Sequence, residues 1–131
     1  MRVDQLMTEC PHTIEAEADI VSAMEAMRSA GVRHLPVLKD HHPVGILSER
    51  DVAIAGSVRG GDPMNAMLTV WDVCTHEPYV VEAGTPLAEV ARTMADRAIG
   101  SALVTQGGEL IGIVTTTDLA RGLANMLERA C

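Results

Sequence analysis

The chain has 131 residues, 47% of them apolar, and a formal net charge of −8 at neutral pH. That length suits a compact domain with a real core, and the acidic balance, without any basic run, argues against broad binding to nucleic acid or to an anionic membrane. One Trp, one Tyr and no Phe leave no aromatic platforms for stacking single strands, and no apolar run approaches the length of a membrane span.

In chain order, a lead-in segment at residues 3–8 passes through Pro11 to a short extended piece at 12–15. Ile20, Ala23, Met24 and Met27 then recur at helical spacing. Two strands are predicted at 34–38 and 44–48, joined by the turn Lys39-Asp40-His41-His42-Pro43, and a helix is predicted to open near Glu49. Residues 57–69 contain Arg59-Gly60-Gly61-Asp62-Pro63 and read as a turn or flexible connector.

The same order then returns. A lead-in at 70–75 and Pro78 precede an extended piece at 79–82, and Leu87, Val90, Ala91 and Met94 mark a second helical face. Thr85 is the expected N-cap and Pro86 the first helical position. Strands follow at 102–105 and 110–115, joined by Gln106-Gly107-Gly108-Glu109, whose glycines suit a tight hairpin. The last helix, from about Thr116, carries the apolar stripe Leu119, Leu123, Met126 and Leu127, which packs either on its own repeat or against a second copy.

Shifted by 67 positions, the chain matches itself without a gap: Val3 falls on Val70, Pro11 on Pro78, Met27 on Met94 and Asp51 on Asp118. Self-similarity at a fixed offset marks a supersecondary unit that buries its apolar face against a twin. The expected fold is therefore α/β, with two repeats related by a pseudo-twofold, each strand–helix–strand–strand–helix. Repeat 1 with its connector spans 1–66 and repeat 2 spans 67–131. The core is expected to be Val, Leu, Ile and Ala, with eight Met residues filling gaps.

Each repeat ends its second hairpin strand in one pattern: Gly45-Ile46-Leu47-Ser48-Glu49-Arg50-Asp51 and Gly112-Ile113-Val114-Thr115-Thr116-Thr117-Asp118. A hydroxyl at a strand end, beside the amides of a starting helix, can bind a phosphate oxygen. An Asp one turn on can accept hydrogen bonds from vicinal hydroxyls such as those of a ribose. Equally, Ser48 and Thr115 can cap their helices, with Asp51 and Asp118 placed well for the dipole. Recurrence in register favours the ribose-phosphate reading over the cap.

On these residues, together with Val32-Arg33-His34-Leu35-Pro36-Val37 and the prolines before each opening strand, the chain resembles the tandem CBS-domain pair, or Bateman module, over nearly its whole length. The resemblance implies a sensor rather than an enzyme, binding an adenosine-containing ligand (AMP, ADP, ATP or S-adenosylmethionine) in the cleft between repeats. It implies that Ser48 and Thr115 face phosphate and that Asp51 and Asp118 hold ribose hydroxyls. Adenine would lie against Thr13, Ile14, His34, Leu35 and Pro36 in one site, and against Val80, Val81, Ser101 and Ala102 in the other. Arg33 and His34 would reach phosphates. A twofold homodimer formed through helices, and a separate effector protein that reads the ligand state, are also implied.

The repeats are not equivalent in charge. Arg33, His34 and Arg50 in the first stand where the second has Gly100, Ser101 and Thr117. Arginine's planar fork suits phosphate, so the first site is expected to be the tighter one; the plainer role for Arg50 is a solvated partner of Glu49. Five histidines lack ligand spacing for a metal, and Cys74 with His76 lacks an orienting third group. Cys10, Cys74 and Cys131, odd in number and without C-x-x-C, are expected to be inert thiols, the alternative being a regulatory disulfide between Cys10 and Cys74. The opening Met1-Arg2-Val3-Asp4-Gln5 has no basic-then-apolar leader, so a cytoplasmic location is expected. The rival function is a dimerisation scaffold whose clefts bind nothing.

Overall fold

The computed structural model describes residues 1–9, 12–58 and 68–130. Cys10, Pro11, Cys131 and most of the predicted connector lie outside the described residues. The elements run as a 3-10 helix at Val3–Gln5, β1 (Thr8–Glu9), β2 (Ile14–Glu15), α1 (Ile20–Ala30), β3 (His34–Lys39), β4 (His42–Ser48) and α2 (Glu49–Val58). They continue as α3 (Val70–Val73), β5 (Thr75–His76), β6 (Val80–Glu82), α4 (Leu87–Arg97), β7 (Ser101–Gln106), β8 (Glu109–Thr115) and α5 (Thr116–Ala130). Each repeat therefore has the expected strand–helix–strand–strand–helix order. Among the described residues, no helix is long and apolar enough to cross a membrane.

The chain divides into two compact units: His12–Pro78, and Met1–Pro11 together with Tyr79–Cys131. These units are not the repeats cut at 66/67, because each lead-in segment belongs to the unit built on the other repeat. In the His12–Pro78 unit the sheet order is β2-β3-β4-β5, with β2 parallel to β3 and the remaining neighbours antiparallel. The second sheet has the order β1-β8-β7-β6, parallel only between β6 and β7.

Helix α1 starts where the Asp19 carboxylate accepts the Ser22 amide at 2.7 Å, a cap that removes one orphan donor. It buries Ile20, Ala23 and Met27 along one face and stops at Gly31, which turns left-handed at φ 67°. That face packs on Leu35, Val37 and Leu47 of the sheet. In the other unit, Val90 and Met94 of α4 join Val3, Ala102, Val104 and Val114 in a separate core.

Helix α4 corrects one expectation. Its N-cap is Pro86 and its first residue is Leu87, so Thr85 does not cap it. The Thr85 carbonyl instead accepts the Val3 amide at 2.8 Å, and the Met1 carbonyl satisfies the Leu87 amide at 2.8 Å. Backbone from the lead-in segment has replaced the side-chain cap. Backbone of the other lead-in joins the His12–Pro78 unit in the same way, Val70 donating to Ala18 at 2.8 Å and Ile20 to Leu68 at 3.2 Å, there beside the Asp19 side-chain cap.

The lead-ins also supply the edge strands, and this explains the glycine that opens each motif. A Cβ at Gly45 would sit 2.9 Å from both Cys74 Sγ and the Thr75 carbonyl, and one at Gly112 would sit 3.0 Å from the Thr8 carbonyl. Only glycine lets β5 and β1 close on β4 and β8. Both hairpins turn on two left-handed residues, Asp40-His41 (φ 51° and 67°) and Gly107-Gly108 (φ 60° and 85°).

Candidate ligand-binding site

Strand β3 begins where β4 ends. His34 lies opposite Ser48 in the ladder, and the Glu49 amide donates to the Arg33 carbonyl at 2.9 Å. The start of α2 is thereby fixed beside the start of β3. Around this junction Arg33, His34, Ser48, Glu49, Arg50 and Ala53 line an open cleft of about 360 Å³, within the roughly 300–1,000 Å³ common for small-molecule sites. Ala53, one turn beyond Glu49, keeps the helical wall low.

Arg33 and Arg50 are exposed, and among the described residues neither guanidinium is ion-paired with an acid. Arg50 is thus not the partner of Glu49. Burial pushes the His34 pKa below the ordinary imidazole value; the Asp51 carboxylate opposes that shift and the Arg33 charge adds to it. His34 is consequently a neutral ring at pH 7, beside two permanent cations and the acid Glu49.

The motif itself forms a reciprocal capping box. The Asp51 amide donates to Ser48 Oγ at 3.0 Å, and Asp51 Oδ2 accepts the Ser48 amide at 3.1 Å. With the Glu49 amide already given to Arg33, two of the first three amides of α2 are spent. The helix N-terminus is therefore a poorer source of anion donors than the sequence suggests, and the arginine side chains are the larger one. The cap reading of Ser48 and Asp51 is realised in the structure, and it leaves Asp51 Oδ1 without a hydrogen-bond partner among the described residues.

The second copy builds a fuller version of the same box. Asp118 Oδ2 accepts the Thr115 amide at 2.9 Å and the Thr115 hydroxyl at 3.2 Å, and the Asp118 amide donates to Thr115 Oγ1 at 3.3 Å. Asp118 Oδ1 also accepts the Thr8 hydroxyl at 3.1 Å, and Arg121 Nη1 lies 3.9 Å from it.

Of the first-copy candidates, Arg33, His34, Ser48 and Arg50 come together in the cleft. Thr13 and Ile14 are half-buried at β2, while Leu35 and Pro36 are buried within β3; none of the four lines it, nor does Asp51. In the second copy, Val80 is exposed and Val81 buried on β6, Ser101 opens β7, and Ala102 is buried beside it. Thr115 ends β8, Thr117 is exposed on the first turn of α5, and Asp118 is buried. Sequence reasoning missed Glu49 and Ala53. Their signal was the helical step of four that puts both on one face of α2.

Among the described residues, Cys74 and His76 are not hydrogen-bonded to each other, and both face the Trp71 carbonyl. Burial, reinforced by the Asp51 charge, pushes the Cys74 thiol up to about 11, so it stays protonated, and its Sγ faces the Trp71 carbonyl at 3.9 Å. His76 stacks on Trp71, with ring centroids 3.6 Å apart and planes 7° from parallel, and its Nε2 lies 2.8 Å from the Trp71 carbonyl.

The CBS domain family matches twice, at residues 3–57 and again at 70–125. The chain belongs to that family. As a CBS-domain pair it is 30% identical over 124 residues to the protein MJ1225 of Methanocaldococcus jannaschii, covering 94% of this chain and 43% of MJ1225; it spans under half the length of that relative. Among solved structures, the CBS pair of MJ0100 in complex with 5′-methylthioadenosine and S-adenosyl-L-methionine is similar at TM-score 0.82 and 23% identity, covering 94% of this chain and 99% of that one. CBSX2 in complex with AMP is similar at TM-score 0.78 and 23% identity, covering 95% and 97%. At those identities the likeness speaks for the fold.

Proposed function

We propose that this CBS pair is a cytoplasmic regulatory module that binds an adenosine-containing ligand, AMP or ATP foremost, with ADP and S-adenosylmethionine as the further candidates. The carrying observation is the cleft in which two arginines without acidic partners among the described residues, a half-buried neutral imidazole and the Ser48 hydroxyl converge. In this reading Arg33, His34, Ser48 and Arg50 meet phosphate, Asp51 receives the ribose hydroxyls, and Thr13, Ile14 and Pro36 border the base. By the repeat, Thr115, Thr117 and Asp118, with Val80, Val81, Ser101 and Ala102, are the corresponding second-copy positions, and correspondence alone gives them no ligand role. The complexes of MJ0100 and CBSX2 with adenosine compounds support this ligand class.

The chain is proposed to act without catalysing a reaction. Ligand binds one arrangement of the protein better than another, and an effector protein reads the shifted population. A twofold homodimer is part of the proposal: Leu123, Met126 and Leu127 of α5 are more than half exposed, while Leu119 packs on its own core. That exposed stripe also favours the rival reading, a dimerisation scaffold with unused clefts.

Thermal unfolding against AMP, ADP, ATP, S-adenosylmethionine, NADH and GTP separates the two readings. A ligand at about 100 times its Kd adds about 2.7 kcal/mol of stability. One adenosine compound is expected to raise Tm clearly, and Arg50→Ala is expected to weaken it by about tenfold or more, as loss of a charged hydrogen bond does. A flat response across the panel in folded protein supports the scaffold.

A further inference from the structure

We infer that the two copies of the motif have parted in use: Asp118 is a structural pin that holds β1 to α5, and ligand hydroxyls are received by Asp51 alone. The inference rests on the adenosine reading above and fixes its stoichiometry at one ligand per chain.

An ionised carboxylate offers about four acceptor positions, two on each oxygen. A vicinal diol needs one free position on each. Asp118 Oδ2 has both of its positions taken by the Thr115 amide and hydroxyl. Its Oδ1 holds the Thr8 hydroxyl, and only 10% of the side chain is exposed. A ribose could bind there only by breaking bonds already made in a buried setting, where a displaced donor is costly. Asp51 shares the backbone bond but differs in burial and in the hydroxyl donors it holds. It is half-buried, its Oδ2 accepts the Ser48 amide, and Oδ1 has no partner among the described residues.

The difference lies in two hydroxyls, not in the framework: Thr115 donates to Asp118 Oδ2 where Ser48 makes no such bond among the described residues, and Thr8 donates to Oδ1. Thr8 stands opposite Ile113 on β8, and its repeat counterpart Thr75 stands opposite the equivalent Ile46 on β4. Thr8 reaches its carboxylate and Thr75 makes no such bond among the described residues. The Thr8 hydroxyl thus fills the place that a ligand hydroxyl would take. An independent asymmetry points the same way, since Gly100, Ser101 and Thr117 stand where the first copy has Arg33, His34 and Arg50, so the second copy lacks both arginines and the imidazole.

The test is calorimetric titration of the full chain with AMP and with ATP, in wild type, Asp51→Asn, Asp118→Asn and Thr8→Val. One nucleotide per chain is expected. Asp51→Asn should lower affinity by about tenfold or more, while Asp118→Asn and Thr8→Val should leave it within about twofold and lower Tm instead. Should Asp118→Asn fail to fold, Thr8→Val, which keeps the side-chain shape, reads the same arm. Two nucleotides per chain, or an affinity loss in Asp118→Asn matching that in Asp51→Asn, overturns the inference and leaves the adenosine reading standing. Absence of AMP and ATP binding to folded wild type overturns the inference, and absence of ADP and S-adenosylmethionine binding as well overturns the adenosine reading with it.

Discussion

His34 ties the cleft to pH through folding as well as through charge. Its pKa in the folded chain is held below the ordinary 6.5, so as pH falls the unfolded chain takes up the proton first. Its contribution to stability is therefore complete above about pH 6.5 and is lost as pH drops toward the lowered value. Between about pH 7.5 and about pH 5.5, wild type should lose more of its urea midpoint than His34→Gln does; equal losses would remove His34 as the cause. At this scale the residue types and the motif were legible, because spacing alone places Ser48 and Asp51 one helical turn apart. The spending of their hydrogen bonds was not. Whether Asp118 faces water or Thr8 depends on a strand far away in sequence, and no local pattern carries that information.

Among the elements, the helices and hairpins were readable because their signals are local: a 3.6-residue period for α1 and α4, and turn residues between paired strands. The hairpin turns diverge in quality. The β7–β8 turn meets its left-handed backbone with Gly107-Gly108, whereas the β3–β4 turn forces Asp40 and His41 to φ 51° and 67°. An L-residue with a Cβ costs about 1–2 kcal/mol there relative to glycine. His41→Gly is expected to stabilise the chain by about 1 kcal/mol, seen as a raised urea midpoint with an unchanged slope; a lowered midpoint would show that the imidazole makes a contact outweighing the strain. Sequence reasoning failed at the start of α4, and for a related reason. Thr85 has the composition of a cap, but its carbonyl is held by Val3, so the helix begins one residue later.

Taken whole, the molecule keeps its sequence repeats and its structural units distinct. The first nine residues complete the sheet and core of the second unit: Val3 is fully buried there, and β1 closes the edge of β8. Deleting residues 1–9 should therefore loosen β8 and α5 rather than the His12–Pro78 unit. Hydrogen exchange resolved by peptide would show faster exchange across 109–118 and little change across 34–48; the reverse pattern would contradict the assignment. The repeat was plain from the self-match of the chain, but an exchange of lead-ins is a long-range pairing, and the two partitions differ in which side takes residues 1–11 and 67–78.

That exchange sets an order of assembly. A nascent chain emerges from its N-terminus, so Met1–Glu9 leaves the ribosome long before Ala83, Thr85 and Ile113, the residues it must join. His12–Pro78 is contiguous and can close while the C-terminal half is still being made. Throughout that interval residues 1–9 wait with Val3 in water, and the second unit is finished only when β6, β7, β8 and α5 have followed and paired with a segment made before them.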